Sequence, residues 1–136
     1  MNPRFLADKS ALTRMKEPVV AEWLRPLLEE GLVATCAIVD LEVLYSARSP
    51  ADYEAIWEER QAFPDVPISP QIMATALRTQ RRLAERGRHR VPIPDLIIAA
   101  AAESAGLEII HCDADYELIA KVTAQPQRWV VPRERP

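Results

Sequence analysis

The sequence predicts an alternating α/β domain built on a parallel sheet, and three observations carry that prediction. Five short apolar runs, at 4–7, 33–36, 66–68, 107–110 and 128–131, are separated by stretches with helical spacing. The intervals are long enough for the crossover helices that parallel strands need. Acidic residues recur where apolar runs give way to helical patterns: Asp8 after Phe5-Leu6-Ala7, Glu42 after Val33 to Val39, Asp95 ahead of Leu96 to Ala102, and Asp113 and Asp115 after Leu107 to Ile110. In such a chain the strand-to-helix junctions line one edge of the sheet, so these carboxylates are expected to meet there.

The elements follow in order. After the run at 4–7, Val20, Trp23, Leu24, Leu27 and Leu28 recur at helical spacing and Gly31 supplies a stop. Pro26 removes a backbone donor inside that helix, which predicts a bend or break near residues 22–26. In the next helical segment Asp40 and Glu42 lie roughly 200 degrees apart, so they cannot share a face, and Asp40 is expected to point outward. Ser49-Pro50 and Ser69-Pro70 each set a capping oxygen before a proline, so helices are expected to begin at 50 and 70. The second carries Ile72, Met73, Ala76, Leu77, Leu83 and Ala84 inward and ends near Gly87. Beyond Pro94, Leu96 to Ala102 is apolar all round, the pattern of a helix buried on most sides, with Asp95 at its mouth. Trp129 is expected to pack in or beside a last strand.

Composition bounds the function. The 136 residues, 49% hydrophobic, make one domain, 1–136, able to bury about two-thirds of its unfolded surface. No apolar stretch approaches the roughly 18 residues of a membrane span, and Met1-Asn2-Pro3-Arg4 lacks the order of a signal peptide, so a cytoplasmic protein with no membrane association is expected. Cys36 and Cys112 are too few and too far apart for a zinc knuckle or disulfide framework. A formal charge of -3 argues against a generally basic nucleic-acid binder but not against a local patch.

Such a patch exists. Arg78, Arg81, Arg82, Arg86, Arg88 and Arg90 place six of the seventeen basic residues within thirteen positions, just before Asp95. Arginine fits phosphate bidentately, so these residues are candidate RNA contacts, although a solvated helix face paired with Glu85 explains them equally simply. Tyr45 and Trp57 are candidate base-stacking residues, a role to weigh against ordinary core packing.

The acids weigh differently taken singly and together. Asp8, Asp95, Asp113 and Asp115 each suit a first helical turn, where a carboxylate complements the helix dipole by ~0.3–1 kcal/mol. Glu42 is bracketed by large apolar residues and needs a cation or a donor. Carboxylates converging within about 5 Å repel by roughly 3 kcal/mol per pair at an effective dielectric near 20, so a positive ion must sit among them. With no histidine cluster or cysteine set alongside, oxygen-only ligation suits Mg²⁺ or Mn²⁺, and the chemistry that follows is phosphodiester hydrolysis.

The segments Phe5-Leu6-Ala7-Asp8-Lys9-Ser10-Ala11-Leu12, the surroundings of Glu42, Pro94-Asp95 to Ala102 and Ile110-His111-Cys112-Asp113-Ala114-Asp115-Tyr116 resemble the four ordered motifs of PIN-domain ribonucleases. Length and motif order resemble the VapC toxins of bacterial toxin–antitoxin pairs. The resemblance covers essentially the whole chain. It implies a three-layer α/β/α sandwich with a parallel sheet of about five strands, a Mg²⁺- or Mn²⁺-dependent endoribonuclease cutting tRNA or rRNA, and inhibition by a cognate VapB-type antitoxin. Apolar surface on the early helices is expected to serve a homodimer or that antitoxin. Carried across by position, Asp8, Glu42, Asp95 and Asp113 match metal-binding acids, Asp115 stands beside Asp113 as an alternative fourth acid, and Ser10 matches the hydroxyl that supports the first. Lys9 and His111 depart from the usual hydroxyl residues. His111 offers two readings, a donor that replaces that hydroxyl at the metal-bound water or, more commonly for a histidine, a surface or internally satisfied ring.

Other classes fit less well. A non-catalytic RNA- or protein-binding module would keep the fold and use the acids as helix caps. A phosphoacceptor receiver wants paired acids after the first strand, a haloacid-dehalogenase phosphatase wants a second aspartate two residues beyond Asp8, and no GxxxxGK[ST] loop is present.

Overall fold

The computed structural model describes residues 2–131. In chain order the elements are β1 (Phe5–Ala7), α1 (Lys9–Leu12), a 3-10 turn at Thr13–Lys16, α2 (Pro18–Glu29), β2 (Val33–Ala34), α3 (Ala37–Tyr45), α4 (Pro50–Gln61), α5 (Pro70–Glu85), α6 (Ile93–Ala105), β3 (Glu108–His111), α7 (Asp115–Thr123) and β4 (Gln127–Trp129). The strands are all parallel, in the order β2-β1-β3-β4.

Alternation along the strands divides the core in two. Phe5, Ala7, Val33 and Ile110 pack with Val20 and Leu24 of α2 on one face. Leu6, Ala34 and Ile109 pack on the other with α6, the inner residues of α5 (Ile72, Ala76, Leu83) and Tyr116 and Ile119 of α7. Each large apolar side chain so buried contributes about 1.5–3 kcal/mol. The predicted three layers follow, with Leu96 to Ala102 buried along α6.

Ser49 and Ser69 cap α4 and α5 as expected, accepting from Asp52 N at 3.0 Å and Ile72 N at 3.2 Å. Four strands form among the described residues, where five were expected. The run at 66–68 is reduced to one parallel bridge between Thr35 and Asp65. Val66 N still donates to Thr35 O at 2.8 Å, but Pro67 has no N–H with which to continue a ladder. Pro26 does not break α2, which runs unbroken from Pro18 to Glu29. Pro26 and Glu22, whose carbonyl loses a donor, are both on the exposed side, where water takes the bond.

Asp40 is also corrected. It turns away from the acids but not outward: its Oδ1 accepts from Thr35 Oγ1 and from Nε of the buried Arg60, both at 2.9 Å, fastening α3 and α4 to the end of β2. Met73, Leu77 and Ala84, expected inside, are exposed, as are Tyr45 and Trp57. Among the described residues, no helix is long and apolar enough to cross a membrane.

Candidate metal centre

The strand order fixes where the acids gather. From β1 the chain moves to β2 on one side, while β3 and β4 lie on the other, so β1 and β3 flank the point where the connections diverge. Ligand crevices of open parallel sheets form beyond the carboxyl ends of strands at such a point. Asp8 follows β1, Asp113 and Asp115 follow β3, and Asp95 lies in the first turn of α6.

Carboxylate oxygens of Asp95, Asp113 and Asp115 lie within 4.8 Å of one another. Asp8 joins them through Tyr116, whose hydroxyl lies 3.0 Å from Asp8 Oδ1 and 3.4 Å from Asp95 Oδ1. Asp95 is only 7% exposed, and its Oδ2 is buried with no hydrogen-bond partner. Glu42, on α3, presents a second buried and unpartnered oxygen, Oε1. Buried carboxyl oxygens without a protein donor are costly when ionised, so they are accommodated by a proton or by a cation.

The electrostatics agree. Burial, then the charges of Asp8, Asp113, Asp115 and Glu42, push the Asp95 carboxyl up to about 8. Burial and Asp8 raise Glu42 against a smaller lowering by Lys9. Burial and Asp113 raise Asp115 against a smaller lowering by a side-chain hydrogen bond with Asp95. Without a cation the pocket keeps protons that water would have removed. An all-oxygen donor set gathered this closely fits the chemistry of a hard divalent ion.

Local chemistry holds the acids in place. Asp8 caps α1 and accepts from Ser10 N at 3.1 Å and Ser10 Oγ at 2.6 Å. The same Oγ accepts from Cys112 N at 2.9 Å, tying the β1 turn to the β3 turn. Asp115 N donates to Asp113 Oδ1 at 3.0 Å. His111 is fully buried, and both ring nitrogens are engaged. Asp113 N donates to Nδ1 at 3.1 Å, so the proton sits on Nε2 and is given to Gln127 Oε1. Burial lowers the pKa of the ring, keeping it neutral. Of the two readings of His111, the donor to a metal-bound water is corrected and the satisfied histidine stands: both ring nitrogens are engaged, and the ring fixes the loop that carries Asp113.

The arginine group makes other contacts. Arg78, Arg81, Arg82, Arg86, Arg88 and Arg90 are all exposed, on α5 and the loop after it. Arg78 donates to Thr75 Oγ1 at 3.0 Å, and Arg82 donates to Val122 O at 3.2 Å. Val122 lies on α7, seven residues beyond Asp115. Among the described residues, none of the six ion-pairs with Glu85.

Sequence reasoning missed Tyr116. Its signal was the spacing of Tyr116 and Ile119, which turns both inward on α7, but no pattern shows that a buried phenol will meet two carboxylates. The Arg60–Asp40 pair was missed for the same reason: the partners are twenty positions apart.

Residues 6–122 match the family described as PIN domain. Ribonuclease VapC51 of Mycobacterium tuberculosis is 43% identical over 129 residues, covering 95% of this chain and 94% of the relative. Ribonuclease VapC21 of the same species is 45% identical over 133 residues, covering 96% of each. Among solved structures, DNA-bound VapBC from Salmonella typhimurium superposes with a TM-score of 0.77 at 17% identity, covering 95% of this chain and 99% of that one, a likeness of fold. VapBC-5 from Mycobacterium tuberculosis gives 0.60 at 25% identity, covering 93% and 98%.

Proposed function

Because the chain belongs to the PIN-domain family, we propose that it is an endoribonuclease of VapC type, the toxin of a type II toxin–antitoxin pair, hydrolysing tRNA or rRNA with a carboxylate-held Mg²⁺ or Mn²⁺. The observation that carries the reading is the unpartnered, buried Asp95 Oδ2 among neighbouring carboxylates. Asp95, Asp113 and Asp115 would hold the ion, with Asp8 completing the set and Glu42 at its margin. When bound, such an ion supplies an acidified water and a positive charge for the leaving oxygen.

The chain's own groups have definite tasks. Ser10 and Tyr116 orient the two oxygens of Asp8, leaving Asp95 Oδ2 free to ligate. His111 and Ser10 fasten the loop carrying Asp113 and Asp115, so that the acids are positioned before substrate arrives. The arginines of α5 and its following loop contribute phosphate contacts away from the reacting centre.

The partner is a VapB-type antitoxin, supported by the VapBC complexes among the structural relatives. An inhibitor that sets a lysine or arginine among the acids would replace the missing positive charge; a complex retaining its metal with no basic side chain nearby would exclude that arrangement. The exposed apolar side chains Met73, Leu77 and Ile93 border a cleft of about 280 Å³ and suit the contact of a homodimer. The protein acts in the cytoplasm, where its RNA is.

The test is incubation of total tRNA and rRNA with purified protein and Mg²⁺ or Mn²⁺, beside Asp8→Asn, Asp95→Asn and an EDTA control. Discrete fragments from wild type alone are expected. RNA binding without cleavage under any of these metals would favour the non-catalytic module instead.

A further inference from the structure

We propose that single-stranded RNA leaves the carboxylate centre along α3, with Tyr45 as a base-stacking platform and Arg48 holding an adjoining phosphate. The inference rests on the ribonuclease reading and adds the direction of the strand and the residues that grip it.

Two clefts meet at Tyr45. One, of about 390 Å³, is bounded by Lys9, Ile38, Leu41, Glu42, Tyr45 and Pro94. Glu42 is the one acid of the set on its wall, and its other walls include the chain neighbours of Asp8 and Asp95, Lys9 and Pro94. The other, of about 650 Å³, is bounded by Tyr45, Arg48, Ser49, Pro50, Tyr53 and Glu54. Tyr45 belongs to both walls, so the two clefts adjoin at its ring, and the proposed strand passes over it from Glu42 to the α3–α4 turn.

The lining suits a nucleic-acid strand. Tyr45 is 88% exposed, so its ring is not fixed as part of the core. Leu41, one turn earlier on the same face of α3, is also exposed and extends the apolar floor. Beyond the turn, Tyr53 and Trp57 lie with ring centroids 6.4 Å apart and planes 20° from parallel, both partly exposed. Exposed aromatic faces supply stacking surface, and Lys9 and Arg48 supply one cation on either side of Tyr45 among the acids Glu42 and Glu54, so stacking leads and each cation is a single phosphate contact.

The test compares wild type with Tyr45→Ala, Tyr45→Trp and Arg48→Ala, using a short fluorescein-labelled single-stranded oligoribonucleotide in EDTA and, separately, cleavage of total tRNA in Mn²⁺. Tyr45→Ala should weaken binding about tenfold, and Tyr45→Trp should stay within about threefold of wild type. Arg48→Ala should weaken binding and lower the salt slope by about one. Melting temperatures should match wild type, because these side chains are exposed. Unchanged affinity in Tyr45→Ala, with wild type binding and cutting RNA, overturns the path and leaves the ribonuclease intact. Loss of dimer in Tyr45→Ala at unchanged RNA affinity also overturns it and assigns this face to a second copy. If wild type neither binds nor cuts RNA, the ribonuclease reading fails and this inference falls with it.

Discussion

Replacing Asp95 with asparagine should stabilise the metal-free protein and remove most of its response to divalent ions. The folded carboxyl titrates at about 8, against an ordinary 3.8. At pH 7 the folded state therefore holds a proton that the unfolded chain has released, a difference of about 4 kcal/mol at 1.36 kcal/mol per pH unit. Water reaching the pocket reduces that, and about 2 kcal/mol is the expected gain from asparagine, or roughly 6–8 °C in melting temperature. The sign is fixed by the raised pKa: wild-type stability is greatest below about pH 4 as far as this group is concerned and is lost as pH rises toward about 8, at up to about 1.4 kcal/mol per unit. Glu42 and Asp115, also raised, add to the same slope. A divalent ion reverses the loss, contributing about 2.7 kcal/mol at a hundredfold excess over its dissociation constant. Thermal melts followed by circular dichroism, across about pH 5–9 with EDTA or Mn²⁺, measure all three effects. An Asp95→Asn protein that melts below wild type in EDTA near pH 8, or a wild type whose melting ignores Mn²⁺, would refute the reasoning.

Tyr116→Phe removes the hydroxyl shared by Asp8 and Asp95, and metal affinity by titration calorimetry should fall at least about tenfold with the fold intact; unchanged affinity would make the phenol mere packing. Ser10→Ala breaks the link between Asp8 and Cys112 N and should cost about 1–3 kcal/mol in denaturant unfolding, with cleavage reduced. Asp40→Ala strands the buried Arg60 guanidinium and should destabilise by about 3 kcal/mol, while cleavage per folded molecule stays at the wild-type level. Replacing Arg86 and Arg88 with alanine should lower the salt slope of RNA binding by about two without changing metal affinity.

The fold was legible where chemistry is local. Ser49-Pro50 and Ser69-Pro70 mark helix starts because a capping oxygen and a proline act within one turn, and the expected starts match α4 and α5. The alternation of Phe5, Leu6 and Ala7 told less, since a strand buried on both faces reads as a continuous apolar run. The fifth strand was misjudged because Val66 and Ile68 carry the apolar signal while Pro67 removes the hydrogen bond. On α5, helical period alone could not separate the buried Ile72 and Ala76 from the exposed Met73 and Leu77, because the width of the contact with α6 is a property of packing.

The acids were legible as a set because topology carries strand ends to one edge. The groups that hold them were legible unequally. Ser10 sits two residues from Asp8 and could be read locally. His111 and Tyr116 act through partners that only the folded chain supplies: the orientation of His111 depends on Gln127, sixteen positions away, and Tyr116 meets Asp8 across 108 positions.

The claim at the centre is that the carboxylates hold a divalent ion at the Asp95 oxygen left without a partner. Crystals grown with Mn²⁺ and measured for anomalous scattering test it most directly. A peak between Asp95, Asp113 and Asp115, within ligating distance of Asp95 Oδ2 and absent from Asp95→Asn crystals, is the expected result. A well-ordered pocket in saturating Mn²⁺ holding only water, with Asp95 protonated and still bound to Tyr116, would contradict it.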